Sequence, residues 1–263
     1  MIQGVSVVLL GLVLGIQHAT DPDHVVAVAT IVSRTRRFSA GALIGALWGF
    51  GHSATIAAVG AAIILLDVRI TPAVALSLEL TVAVMLMGLG AARIAGALRT
   101  AGAVPPAHLA EPHAHAGAAA FHSHAHTHNG TVHRHPHVHP PERLVRALRE
   151  VGPAQAIRSM AVGLVHGLAG SAAVALLVLA TVPDPRAAVA YLFVFGAGTI
   201  LGMTAITALL ALPFTWPAVG LARWRRAFAM GTGVLSLGLG VYLAVHIGLV
   251  EGLFLGDPIW RPR

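Results

Sequence analysis

The most constraining feature of this chain is a set of apolar runs too long for a soluble core. A helix that crosses a bilayer needs about 20 mostly apolar residues. Six stretches meet that length, roughly 4–33, 39–66, 72–98, 156–182, 186–212 and 226–250. Soluble domains carry roughly a quarter charged residues. This chain carries 10% and is 56% hydrophobic, which leaves too little polar surface to coat a water-soluble globule. The expected fold class is therefore an all-α membrane protein with six transmembrane helices. The first run has no basic segment ahead of it, so it is expected to be retained rather than cleaved as a signal peptide.

The formal net charge of +7 is carried entirely by arginine, since lysine is absent. The arginines sit in short clusters between apolar runs, which is a topology signal and not a nucleic-acid stripe. Arg34, Arg36 and Arg37 follow the first run. Arg93, Arg99, Arg134, Arg143, Arg146, Arg149 and Arg158 flank or occupy the third connection, and Arg223, Arg225 and Arg226 the fifth. Only Arg69, Arg186, Arg261 and Arg263 fall on the other side, so thirteen against four places the odd connections in the cytoplasm and both termini outside. No cysteine is present, which excludes disulfides, thiolate metal sites and a cysteine nucleophile.

Short matches link the halves. Gly15-Ile16-Gln17-His18 pairs with Gly163-Leu164-Val165-His166, Phe50-Gly51 with Phe195-Gly196, and Gly88-Leu89-Gly90 with Gly238-Leu239-Gly240, each about 150 residues apart. Three spans per half make a 3+3 inverted repeat the expected architecture, with a site near the midplane. The domain division is 1–98, a polar loop at 99–152 expected on the cytoplasmic side, and 153–263. The loop holds eleven of the sixteen histidines, from His108 to His139, in low-complexity sequence. It is expected to be disordered without metal and to gather metal by multivalency.

The chemistry concentrates in Gln17-His18-Ala19-Thr20-Asp21-Pro22-Asp23-His24, which puts two histidines and two aspartates where hydrocarbon is expected. A charged residue at the membrane midplane costs at least about 2.5–3.5 kcal/mol, so such residues usually line a polar pathway. On a regular helix His18 and His24 would lie about 120° apart. Pro22 supplies no N–H to the carbonyl of His18 and biases Asp21 away from helical geometry, so the helix should break there. A broken helix can bring His18, Asp23 and His24 toward one point. His52, within an apolar run, is a candidate fourth ligand. Asp21, His166 and Glu79 are further candidates for ligand or supporting roles, as are Gln17, Thr20 and Ser53 for fixing ring tautomers. Imidazole with carboxylate and no thiolate suits nickel, cobalt, zinc or copper(II).

These residues resemble a known family. His18, four residues, then Asp23-His24 reproduce the H-x4-D-H signature of the nickel/cobalt transporter (NiCoT and NicO) families, and Gly51-His52-Ser53 looks like their second signature. The run His166-Gly167-Leu168-Ala169-Gly170-Ser171-Ala172 resembles the NicO branch related to urease accessory permeases. The acidic fifth-helix motif of the NiCoT permeases is absent, and Pro22 stands where that branch usually has alanine. The resemblance implies a permease moving Ni2+ or Co2+ as transported substrate in the cell (inner) membrane, with His18, Asp23 and His24 essential and His52 contributing. Uptake is the expected direction, efflux the alternative. An intramembrane metalloenzyme is less favoured, because H-E-x-x-H is missing and no nucleophile sits beside a base; no enzymatic activity is expected. The partners expected are a divalent metal ion, membrane lipid and a cytoplasmic metallochaperone, and no nucleic acid.

Overall fold

The structure is a computed structural model that describes residues 2–32, 37–66, 70–99, 121–128, 131–138, 142–168, 182, 184–215 and 221–260. The elements are α1 (Ile2–His18), α2 (Pro22–Val32), α3 (Phe38–Leu66), α4 (Pro72–Arg99), β1 (Phe121–His128), β2 (Thr131–Val138), α5 (Glu142–Gly167), α6 (Pro185–Thr215) and α7 (Leu221–Val245), the last continued by a π-helical turn, His246–Val250.

The six-span expectation is corrected. Among the described residues there are seven α-helices, of which four are long and apolar enough to cross a membrane: Phe38–Ile63, Pro72–Arg99, Pro185–Phe214 and Arg223–Val250. The first apolar run is not one span but two helices, of 17 and 11 residues, separated by the turn before Pro22. In the fourth run the described helix ends at Gly167; residues 169–181, Ser171 among them, lie outside the described residues. The all-α expectation also fails in the polar connection, where β1 and β2 pair as an antiparallel hairpin.

The 3+3 repeat is corrected too, since seven unequal helices do not divide into two sets of three. The glycine matches have another cause, which is packing. A Cβ on Gly90 would meet Leu237 N at 2.5 Å, and one on Gly240 would meet Ala83 O at 2.7 Å. Gly90 and Gly240 each line the contact between α4 and α7, where small residues let backbones approach. Ser236 Oγ donates to Leu86 O across the same contact, at 2.8 Å.

Helix α3 lies against α5 and α6, α1 lies on α6, and α2 touches α7 and α6. Ala27, Val28, Ile44, Trp48, Leu86 and Met203 are buried at the centre. The exterior is apolar as well: Leu65 is 73% exposed, Phe193 72% and Val250 70%. In water such a surface would aggregate; in a bilayer it faces lipid. The chain is a multi-pass membrane protein. Helix α5 is kinked where Gly152 takes φ 69°, a left-handed conformation that favours glycine, and Pro153 starts the apolar part.

Candidate metal centre

The site is built around the break between α1 and α2. Helix α1 closes with Thr20 N–H donating to Gln17 O (2.8 Å) and Asp21 N–H donating to His18 O (3.2 Å). Pro22 then occupies the first position of α2, where a missing N–H costs nothing, and Asp21 O accepts the first α2 bond from Val25 N–H at 3.0 Å. The break expected at Pro22 is there. It places His18 at one helix end and Asp23-His24 at the start of the next. Pro22→Ala should change stability by less than about 1 kcal/mol, because either residue tolerates this position. It should still shift metal affinity, since a restored N–H would let α1 run on. Thermal melts beside metal titrations check this; a straight loss of folding would contradict it.

Four imidazoles converge there. His18, His24, His52 and His166 come from α1, α2, α3 and α5, and all four are buried. The ring of His24 lies 4.7 Å from His18, 4.9 Å from His52 and 4.3 Å from His166. His18 Nε2 and His52 Nε2 approach to 2.9 Å. Two trios, His18–His24–His52 and Asp23–His24–His166, each hold their ligand atoms within 4.8 Å of one another, and His24 belongs to both.

The two carboxylates have different positions. Asp21 Oδ2 pairs with His18 Nδ1 at 2.8 Å and is partly exposed. Asp23 joins two rings: Oδ1 accepts from His24 N–H (2.9 Å) and lies 3.1 Å from His24 Nδ1, while Oδ2 lies 2.9 Å from His166 Nε2. A ring nitrogen that donates to carboxylate leaves a lone pair on the other nitrogen. That assigns lone pairs to His18 Nε2, His24 Nε2 and His166 Nδ1. Among the described residues, His24 Nε2, His52 Nδ1 and His166 Nδ1 are buried without a hydrogen-bond partner. An unpartnered buried polar atom costs about 1–3 kcal/mol, and a metal ion would remove that cost. The donor set is imidazole-rich and thiolate-free, the chemistry of borderline divalent ions.

Glycines make this convergence possible. A Cβ on Gly163 would sit 2.2 Å from Trp48 O, and one on Gly167 would sit 2.5 Å from His52 O. Helices α3 and α5 thus touch backbone to backbone, which brings His166 within reach of Asp23.

The other candidates lie apart from the cluster. Thr20 Oγ1 donates to Gln17 O at 2.6 Å, and the Gln17 side chain is exposed. Ser53 Oγ donates to Gly196 O on α6 at 3.1 Å. Glu79 accepts from Trp260 Nε1 at 2.9 Å, which ties the C-terminal segment to α4. Sequence reasoning passed over Trp48, whose buried ring stacks on His24 at 5.9 Å and meets His166 edge-on at 5.7 Å. The signal was its place four residues before His52, one helical turn away on the same face.

No family model and no solved structure matches the chain. The chain is 34% identical over 249 residues to the urease accessory protein UreH of Bacillus sp. (strain TB-90), an alignment that covers 95% of each protein. On a match of that extent, and with the metal-transporter motif residues gathered inside a membrane bundle, the chain belongs to the family of urease accessory protein UreH, in the nickel/cobalt transporter branch that its motifs resemble.

Proposed function

We propose that this protein is a permease that moves Ni2+ across the membrane, with Co2+ as a second substrate, and that the histidine–carboxylate cluster is its transit site. The observation that carries this reading is the meeting of four buried imidazoles and Asp23 from four different helices within an apolar bundle. Buried polar groups in such a setting are costly unless they are paired or hold an ion. A cation offsets the burial of Asp23, and Asp23 with the imidazoles offsets the loss of the ion's water.

His18, His24 and His52 supply one ligand set, and Asp23, His24 and His166 the adjoining one. His24, common to both, lets an ion pass between sets without full release. Asp21 holds the ring of His18, as carboxylates commonly orient ligating histidines. A ligating imidazole must be unprotonated, so protons compete with metal and binding weakens on acidification. Purified protein in sealed vesicles, loaded with radioactive nickel on one side, tests the reading. Saturable nickel flux supports it; vesicles no leakier than empty ones reject it.

Uptake is the favoured direction. The relative is described as an accessory protein of an enzyme, and such a role is served by supply rather than removal. A membrane protein of an accessory family has no need of catalysis. The sign of nickel accumulation in cells decides between uptake and efflux, and a metallochaperone on the receiving side fits the same reading.

For orientation, the His-rich loop and the arginine-rich helix ends belong on the cytoplasmic side, with both termini outside. Two contacts support this. Arg37 at the start of α3 lies 3.5 Å from Glu150 of α5, and Arg93 and Arg158 line one small polar cavity with Thr30. Trp260 reaches Glu79 near the opposite end of α4 from Arg99, which supports a C-terminal segment on the side away from the arginine-rich end of α4. The chain has no native cysteine, so a single Cys introduced at position 120 should react with an impermeant reagent only from the cytoplasmic face. Labelling from outside alone would reverse the assignment.

A further inference from the structure

The arginine-rich end of the bundle holds a polar cavity that the transit site does not use. Its volume is about 50 Å³, and it lies where α2, α4 and α5 meet. Helix α4 supplies Arg93 and α5 supplies Gln155 and Arg158, one turn apart on the same face. Thr30 of α2 completes the polar lining, and its hydroxyl already donates to Ala27 O at 2.6 Å. The donors left to face a guest are therefore the two guanidinium groups and the Gln155 amide. Ile31, Leu89 and Ala92 form the apolar remainder of the wall.

The charges in this cavity are of one sign. Among the described residues that line it there is no carboxylate. Glu150, the acidic side chain of α5 nearest in sequence, lies 3.5 Å from Arg37 instead. Arg93 stands six positions before Arg99, the end of α4, so it is set back about 9 Å along the helix. Its Nε is buried. Two positive charges that share a partly desolvated space repel each other, and an anion between them turns that repulsion into attraction.

We propose that this cavity is an anion site that binds a phosphate group, the chemistry shared by an anionic phospholipid headgroup and free phosphate. The planar fork of arginine matches phosphate oxygens in pairs. Pockets for drug-sized ligands run to about 300–1,000 Å³, so a cavity this small admits a phosphate group and not a nucleotide. The surroundings favour the lipid as the source. The cavity opens between membrane-length helices, its wall is half apolar, and Ala92 on its rim is exposed where acyl chains run. Basic pockets between transmembrane helices are a known setting for anionic headgroups. A phosphate held by α4 and α5 would brace the far end of α2, a helix of only 11 residues that carries Asp23 and His24 in its first turn. Binding should therefore stabilise the fold. The proposal does not rest on the transit reading.

Thermal melts of the full-length protein in non-ionic detergent test it, with phosphatidylglycerol, phosphatidylcholine or inorganic phosphate added. Phosphatidylglycerol should raise the midpoint saturably, by about 5 °C. Phosphatidylcholine, whose choline cancels the phosphate charge, should not. Arg93→Gln with Arg158→Gln should abolish the shift. Arg223→Gln with Arg226→Gln removes as much charge from α7 at the same end of the bundle and should keep it. A shift with inorganic phosphate alone makes free phosphate the source, and a shift with phosphatidylglycerol alone makes it the lipid; both support an anion site. Native mass spectrometry covers the case in which the double variant folds poorly. Arg158 is exposed, so Arg158→Gln should fold normally, and it should bind phosphatidylglycerol about tenfold more weakly, the loss of one charge-assisted contact. No response of the parent protein to either phosphate, unchanged binding in Arg158→Gln, or an equal loss in the α7 pair overturns the proposal. None of these results bears on nickel binding at the histidine cluster.

Discussion

Replacing His24 by alanine should abolish saturable nickel flux, and it should be the most damaging single substitution in the protein. His24 is shared by both ligand trios, so its loss takes a donor from each. It is also 1% exposed, and its ring touches those of His18, His52 and His166. Loss of a group that only orients a ligand typically costs about 10–100-fold in metal affinity. Loss of a shared ligand should exceed that. Asp23→Ala should come close to it, because Asp23 holds both His24 and His166. Asp21→Asn should fall within the 10–100-fold range, because it pairs with His18 alone among the four rings. A cavity at a buried site can also unfold a protein, so His24→Gln, which retains volume and polarity, is the companion variant. Each is checked by flux in vesicles, by nickel titration and by elution as a monodisperse species in detergent. Wild-type apparent affinity in well-folded His24→Ala and His24→Gln would remove the transit site from this cluster.

The second large effect is expected at Gly163, which is not a metal ligand. A Cβ there would lie 2.2 Å from Trp48 O and 2.5 Å from Trp48 Cδ1. Neither neighbour can yield easily: one is helix backbone, the other a fully buried indole. Gly163→Leu must therefore push α5 away from α3. Overpacking of a dense core costs typically ~1–3 kcal/mol, occasionally more. The displacement would also draw His166 away from Asp23, so flux should fall together with stability. Gly238 is the control: it lies inside α7, and a Cβ there would meet nothing within 4 Å. Gly238→Ala should be neutral or stabilise by up to about 1 kcal/mol, the usual gain from removing a helical glycine. Thermal midpoints in detergent and vesicle flux on the same preparations test both. If Gly163→Leu melts and transports like the parent protein, the α3–α5 contact is not what assembles the site.

Local chemistry made part of this protein legible without a structure. Hydropathy and a low charge content require a membrane, because there is no other way to bury so much apolar surface. The helix break follows from Pro22 alone, since the missing N–H and the ring clash act within one turn. His18, Asp23 and His24 are close in the chain, so a single break suffices to gather them. His52 stood out as a polar residue in an apolar run. The number of spans was not legible, because a hydropathy window runs straight through the turn at Ala19–Asp21 and reads two short helices as one. The glycine matches looked like a repeat because a sequence does not say whether two similar motifs correspond or pack in one contact; Gly90 abuts Leu237 and Gly233 of α7, and Gly240 abuts Ala83 and Met87 of α4. Only the tertiary structure decided the rest. Contact between α3 and α5 at Gly163 and Gly167 brings His166, 143 positions along the chain, to Asp23. It also sets Trp48 against His24 and divides the two carboxylates, Asp21 to one ring and Asp23 to two. Those outcomes depend on which helices touch and at what depth, and backbone approach at glycine determines that through space.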